Sequence, residues 1–527
     1  MSGSLSIVLH AHLPFVRHPE HEDFLEEDWL YEAISETYLP LLQTFDRLAS
    51  EGVPYRVTMT LTPTLVSMLR DGLLMGRYRR RLDKMCELAG REVDRTRGDA
   101  AFSKLAAFYQ QHFEGLRRSF DGYGQDLVAA FRRLQEAGYL EIITCNATHG
   151  FLPLMRERPE AVRAQVTVAA NHYRQTFGRD PKGIWLAECG YYPGVEQFLA
   201  AEGIRFFFVD THGIADATPR PLYGAYAPIF TEAGVAAFAR DPESSQQVWS
   251  SEFGYPGDPA YREFYRDIGW DLDLDYIRPY IQATGARKNT GFKYYRVTGK
   301  SSHKEPYDPD VARERAAQHA GNFFFNREKQ FEFLSSRMGG RTPIVVSPYD
   351  AELFGHWWFE GPLFLESLFR KCAFDTQAFR LSTPAEFLRE HPEQQVATPA
   401  FSSWGEAGYA KMWLDGSNDW IYRHLYHCSA LMTQAAQDYP DPDALKRRAL
   451  NQAARELLLA QSSDWAFIMK TGTMVDYAIR RTREHVQRFL RLHGQVRAGR
   501  VDEGWLGSVE AKDNVFPEID YRVYRRH

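Results

Sequence analysis

The sequence predicts an α/β fold, either a barrel or a doubly wound sheet of parallel strands, followed by a helical domain. Three observations carry this. Short apolar runs rich in β-branched and aromatic residues recur between Leu5 and Ser347. Helical stretches separate several of them, and beyond about Gln394 the strand signals give way to long amphipathic stretches.

In chain order, residues 5–10, 55–60, 140–144, 183–186, 204–209 and 343–347 read as buried strands, since they are short, mainly apolar runs with β-branched or aromatic content. Residues 159–177 and 192–202 flank the fourth run and have helical periodicity. From about 77 to 138 the chain is charged and helical in pattern (Leu105, Phe108, Phe113, Leu116, then Leu127, Phe131, Leu134), which predicts a helical insertion. Leu450, Ala454, Leu457 and Leu458, then Ile479, Val486, Phe489 and Leu490, recur at helical spacing. A catalytic unit over 1–395 and a helical unit over 396–527 follow; 527 residues exceed what one core usually organises.

Composition narrows the function classes. With 44% hydrophobic and 25% charged residues, neither disorder nor a fibrous repeat is indicated. A net charge of -6 gives no reason to bind nucleic acid or anionic lipid, and the basic run from Arg77 to Arg81 reads as a solvated helix face. No apolar stretch of about 18 residues predicts a membrane span, and the N-terminus shows no export signal, so a cytoplasmic protein is expected. Five cysteines without C-x-x-C spacing argue against a disulfide framework or structural zinc. Aromatics reach 14%, with eleven Trp, several beside Gly, Asp and Asn; flat apolar faces next to polar groups suit a sugar-binding cleft.

The predicted strands run into chemistry: His10 and His12, His149, Glu188, Asp210 and His212, then Asp350 and Glu352. Barrel enzymes concentrate reactive groups at the C-terminal ends of parallel strands, whereas chance would scatter them. Glu188 and Asp350 fit retaining glycoside chemistry, which needs two carboxyls about 5 Å apart, one ionised to attack and one protonated to donate. The bland alternative makes each a helix cap or barrel salt bridge, but the carboxylates, His356 and Trp357 crowded around Asp350 weigh against it. His10 and His12 lie at strand spacing, so both rings face one side. They are candidate metal ligands, with His149 or Asp210 as a third and a carbohydrate deacetylase as the implied activity. Neutral histidines bonding sugar hydroxyls explain the pair equally well.

The ordered segments 10–14, 147–150, 185–191 and 347–356 closely resemble the sequence regions of glycoside hydrolase family 57, and 240–250, 254–257 and 261–269 resemble its glucan-branching members. The helical tail after Trp404 is similar to theirs, so the resemblance covers almost the whole chain. It implies an incomplete (β/α)7 TIM-like barrel with a helical insertion and a helical C-terminal domain. It also implies double displacement without metal or cofactor, with Glu188 as nucleophile and Asp350 as acid/base; Glu352 is the rival acid, and His356 orients the loop. Donor and acceptor would be α-1,4-glucans such as amylose or glycogen, the acceptor attacking through a 6-hydroxyl. Family positions for substrate contact fall on His10, His12 and His149 at the mouth and on Arg266 and Gly285, which bracket 267–284. Trp29, Trp270, Trp404 and Trp413 fall along the groove, with Trp404 and Trp413 expected as an acceptor platform. Asp464 and Thr473 come from the C-terminal domain, Thr473 standing where the group carries glutamine. A loop tyrosine that shields the intermediate is sought between 220 and 240, with Tyr223 and Tyr226 as candidates. An α-amylase or 4-α-glucanotransferase on the same scaffold, or a non-catalytic glycogen-binding protein, are the alternatives.

Overall fold

The computed structural model describes residues 3–250, 254–282 and 284–526. Met1 and Ser2, on which the reading of the N-terminus falls, and Ala283, within the 267–284 segment, lie outside the described residues.

Among the described residues ten strands form one sheet: β1 Ser4–Ala11, β2 Val57–Leu61, β3 Leu140–Cys145, β4 Gly183–Trp185, β5 Phe206–Val209, β6 Ile229–Phe230, β7 Ala236–Ala239, β8 Ile344–Asp350, β9 Arg380–Leu381 and β10 Gln395–Val396. The order is β10-β6-β7-β5-β4-β3-β2-β1-β8, with β9 on β1. From β7 to β8 every ladder is parallel, giving seven barrel strands. Among the described residues no ladder joins β7 to β8. The Asp241 N–H donates to the Val346 carbonyl there at 2.8 Å, so the ring is an incomplete barrel. The six runs read from sequence coincide with β1–β5 and β8. The strands not anticipated, β6, β7, β9 and β10, span two to four residues, too short to show a period.

Alternation along the strands builds two cores. Val8, Ile143, Cys145, Trp185, Phe206, Phe208, Phe238 and Val346 fill the barrel interior. Leu5, Ile7, Leu9, Ile142, Ile184, Phe207 and Val345 face outward against the helices. The register of β1 sets His10 two residues beyond Val8 on the inward face, and its ring stacks on buried Trp185 at 4.8 Å. The interior is thus a solid aromatic plug, and polar chemistry begins where it ends. Gly183 is required by this packing: a Cβ there would stand 2.2 Å from the Phe206 ring.

Between β2 and β3 lie helices Gly72–Arg95, Ala100–Gly122 and Leu127–Glu136, begun by Asp71, Asp99 and Asp126, whose carboxylates accept the first free backbone N–H groups. After β10 the chain is helical: Trp420–Asp438, Ala444–Ala460, Ser463–Thr471, Val475–Arg497 and Glu503–Lys512. Residues Ser462 and Ser463 dock on the loop after β3, the Ser463 N–H donating to the His149 carbonyl at 3.0 Å and Ser462 bridging Gly150. The C-terminal helices therefore meet the barrel at its strand ends. No helix of the described residues is long and apolar enough to cross a membrane.

Candidate active site

Four strand ends, of β1, β3, β4 and β8, and one helix start deliver the site. β4 ends at Trp185, and the following short turn places Glu188 and Cys189 at positive φ (62° and 50°), as the loop after β3 does for His149 (58°). Such left-handed backbone costs non-glycine residues about 1 kcal/mol or more each, and it persists where the surroundings over-determine it. Here they do. The Trp404 backbone N–H donates to the Glu188 carbonyl at 2.8 Å, and Tyr191 and Ser402 form a bridge just beyond.

Two side-chain donors converge on the Glu188 carboxylate: Trp404 Nε1–H on Oε2 at 2.7 Å and the Ser463 hydroxyl on Oε1 at 2.8 Å. Ser463 Oγ also lies 2.8 Å from His149 Nδ1, and His149 Nε2 lies 3.0 Å from His10 Nε2. Burial, aided by the negative charge of Asp464, pushes Glu188 up to about 7; the two donors and His12 pull the other way. Asp350 ends β8, in register with His10 of β1. Its side chain opens into the cleft but is enclosed by protein around it, which raises it to about 6 against the pull of His12 and Arg240. Among the described residues it accepts no hydrogen bond.

Glu352 does not share that freedom. Its Oε1 accepts from the Tyr38 hydroxyl at 2.5 Å and from the His12 backbone N–H at 3.1 Å, and burial raises it to about 7. A carboxyl tied to a neighbouring strand end is an anchor for its loop. His356 Nδ1 meets Glu36 Oε2 at 2.6 Å, holding the same loop farther on.

The histidines divide into two kinds. His10 and His149 are held well below the usual imidazole range, by burial first and then by neighbouring imidazoles, so both are neutral. Burial would lower His12 as well, but Asp464 in contact, then Glu188 and Glu352, raise it. The same pairing outweighs burial at Asp464 and holds it at about 2. His12 Nε2 and Asp464 Oδ2 are 3.0 Å apart, and the His12 ring stacks on His149 at 3.7 Å.

His12, His149 and Asp464 lie close enough together to hold a metal ion. Every ring nitrogen of the two histidines already faces a protein partner: Thr62 and Asp464 for His12, Ser463 and His10 for His149. No lone pair is left over for a cation without breaking one of these contacts. Asp210, the other candidate third ligand, caps the next helix and pairs with Arg240 at 3.4 Å, away from the histidine pair. What the arrangement can do is glycosyl chemistry: an anchored carboxylate and a free, raised carboxyl face one cleft floored by histidine and tryptophan.

The model of glycosyl hydrolase family 57 matches residues 6–400, and that of the 1,4-alpha-glucan branching enzyme C-terminal domain matches 424–524. The chain belongs to glycoside hydrolase family 57. A 1,4-alpha-glucan branching enzyme of Thermococcus kodakarensis is 34% identical over 98% of this chain and 78% of its own. Among the solved structures that superpose over the whole chain are the alpha-amylase AmyC of Thermotoga maritima (49% identity, TM-score 0.94, all of that chain) and a branching enzyme of this family from Pyrococcus horikoshii (34%, 0.90, 97% of that chain).

The other family 57 positions fall into three groups. Trp404 joins the site, but as a donor to Glu188 and not as an open platform, its ring edge-on to Trp185. Trp413 does not reach the cleft: it is 1% exposed and stacked on Phe151 at 4.7 Å, so no face of it is offered to a ligand, and the paired platform expected of Trp404 and Trp413 is not formed. Trp29 stands edge-on to Tyr477, and Trp270 is 53% exposed with its N–H on Asn289. Arg266 is paired with Asp271 at 2.9 Å, Gly285 occupies a turn at φ 84°, and Thr473 is exposed between two C-terminal helices. None of these last five contacts Glu188 or Asp350 among the described residues. Tyr223 lies under the Arg341 guanidinium and Tyr226 is half-buried beside Gln330, and neither contacts Glu188 or Asp350 among the described residues. Sequence reasoning missed Ser463, Tyr38 and Arg240. Ser463 adjoins Asp464, and Arg240 opens the 240–250 segment, both in stretches already singled out for other residues; Tyr38 carries no motif.

Proposed function

We propose that this chain is a retaining 1,4-α-glucan branching enzyme in which Glu188 is the nucleophile and Asp350 the general acid/base. The observation that carries the roles is the asymmetry of donors. A tryptophan N–H can only donate, so it is satisfied by a carboxylate oxygen, and Glu188 has that donor and a hydroxyl. Asp350 has neither, and a glucan closing over it removes the water that would solvate its charge. In the first step Asp350 gives its proton to the glycosidic oxygen while Glu188 bonds to the anomeric carbon, and the reducing-end fragment leaves with a free 4-hydroxyl. In the second, Asp350 takes the proton of an acceptor 6-hydroxyl, whose oxygen displaces Glu188; two inversions give net retention and an α-1,6 branch. Asp464 and His12 are proposed to meet sugar hydroxyls at the cleaved residue, with Trp29, Trp270, Arg266, Gly285 and Thr473 farther along the glucan. Glycogen synthesis in the cytoplasm is the setting such an activity fits.

Branching is favoured by the C-terminal match and by relatives named for it. Hydrolysis is the second reading, because the 49% identical Thermotoga maritima protein is named an alpha-amylase. Incubation with amylose, followed by enzymatic debranching and reducing-end assay, separates them. New debranchable linkages with few new reducing ends are expected; abundant reducing ends without branches would make the chain an amylase.

A further inference from the structure

We propose that Ser463 is a positioning residue for the nucleophile, its hydroxyl supplied by the C-terminal helices and aimed at Glu188 by the His149–His10 pair. The inference rests on the proposed role of Glu188.

A serine hydroxyl has one hydrogen and rotates freely, so a buried one points wherever its neighbours direct it. Ser463 is 3% exposed and has two partners, Glu188 Oε1 and His149 Nδ1, both at 2.8 Å. An ionised carboxylate only accepts, which commits the hydrogen to Glu188. His149 Nδ1 must then be protonated and donate to Ser463 Oγ. A neutral imidazole carries one hydrogen, so His149 Nε2 is an acceptor, and the 3.0 Å contact requires His10 to be protonated on Nε2. His10 Nδ1 is then bare, in keeping with its having no hydrogen-bond partner among the described residues. One ionisation state thus fixes three hydrogens in series.

A purely structural role fits less well. Ser463 is the first residue of its helix, yet its hydroxyl caps no backbone N–H; the neighbouring Ser462 hydroxyl bonds Asp464. The chemistry gives the contact a use. Glu188 bears full charge before attack, loses it in the glycosyl-enzyme and regains it as the acceptor displaces it. A fixed donor favours the charged form, so it keeps the nucleophile ionised and assists its departure in the second step. Because the donor comes from beyond residue 460, the barrel alone lacks it.

The test compares Ser463→Ala and Ser463→Thr in the full chain, with α-maltosyl fluoride as donor, by the pH dependence of kcat/KM. Titratable groups facing Glu188 are His149 and Cys145 from β3, His12 from β1, Cys189 beside it and Asp464 from the helix of Ser463. None is altered by either variant. Removing the donor should move the limb that reports Glu188 to higher pH by about half a unit to one unit and lower turnover about tenfold at the wild-type optimum, as expected for a bond to a charged group. Ser463→Thr, which keeps the hydroxyl, should return both toward wild type. An unmoved limb in Ser463→Ala, or equal loss in both variants, overturns the inference. Ring-15N labelling of histidine reads the tautomers without turnover: His149 protonated on Nδ1 and His10 on Nε2 are expected, and His149 protonated on Nε2 refutes the chain. An absence of any turnover in wild type would count against the roles proposed for Glu188 and Asp350, whereas the tautomers still decide the aim of Ser463.

Discussion

Single residues decide how charge is divided in the cleft, and Trp404 is the clearest case. Trp404→Phe keeps the ring over Arg240 and removes only the N–H on Glu188 Oε2. A lost bond to a charged group is worth about 1.5–3 kcal/mol. Branch formation and hydrolysis should therefore fall together, tenfold or more, in parallel assays of both products; a selective loss of transfer would make Trp404 the acceptor platform after all. The raised carboxyls give a second prediction. Glu188 at about 7 and Asp350 at about 6 titrate close together in the order opposite to their roles, so the shared proton rests mainly on Glu188 in the empty cleft, and the productive form, with that proton on Asp350, is the minor one of the singly protonated pair. Below the lower value both are protonated and no nucleophile remains; above the higher both are ionised and no acid remains. kcat/KM should be bell-shaped with its maximum between about 6 and 7. A profile with no basic limb would contradict a proton on Asp350.

Strands and loops set these residues in place, and they were unevenly legible in the sequence. β1–β5 and β8 could be read because each is buried on both faces and so is mainly apolar and rich in β-branched or aromatic residues. The strand ends could be read because His10, Glu188 and Asp350 follow such runs directly. What could not be read depends on contacts hundreds of residues apart: Ser463 on Glu188, Tyr38 on Glu352, and the β7–β8 gap spanned by Asp241. Trp413 shows the limit in the other direction. Its loop, with Gly405 and Gly408, resembles an exposed sugar platform, yet the chain folds it against Phe151 behind the Glu188 turn. Trp413→Ala should accordingly cost about 3–5 kcal/mol, as emptying a buried aromatic site does, measured by denaturant unfolding. Turnover per folded molecule should change little. Unchanged stability with lost transfer would put Trp413 back in the groove.

At the scale of the molecule, the barrel supplies a plugged floor and the carboxyls, and the C-terminal helices supply Ser463 and Asp464 to the same cleft. Acid and base are both present without help from a bound ion, and the ring nitrogens of His12 and His149 are already committed to protein partners. Exhaustive chelation should therefore leave branching unchanged, read by the debranching assay; loss restored by zinc would point to a metal enzyme on the His12 and His149 pair. The central claim is the division of labour between Glu188 and Asp350, and azide tests it most directly. With α-maltosyl fluoride as donor, Glu188→Gly leaves space for azide to attack in place of the nucleophile, giving the β-glycosyl azide by a single inversion. In Asp350→Gly the glycosyl-enzyme still forms and azide displaces Glu188, giving the α-glycosyl azide by two. Opposite anomers from the two variants are the predicted result. The same anomer from both, or α from Glu188→Gly and β from Asp350→Gly, would contradict the assignment.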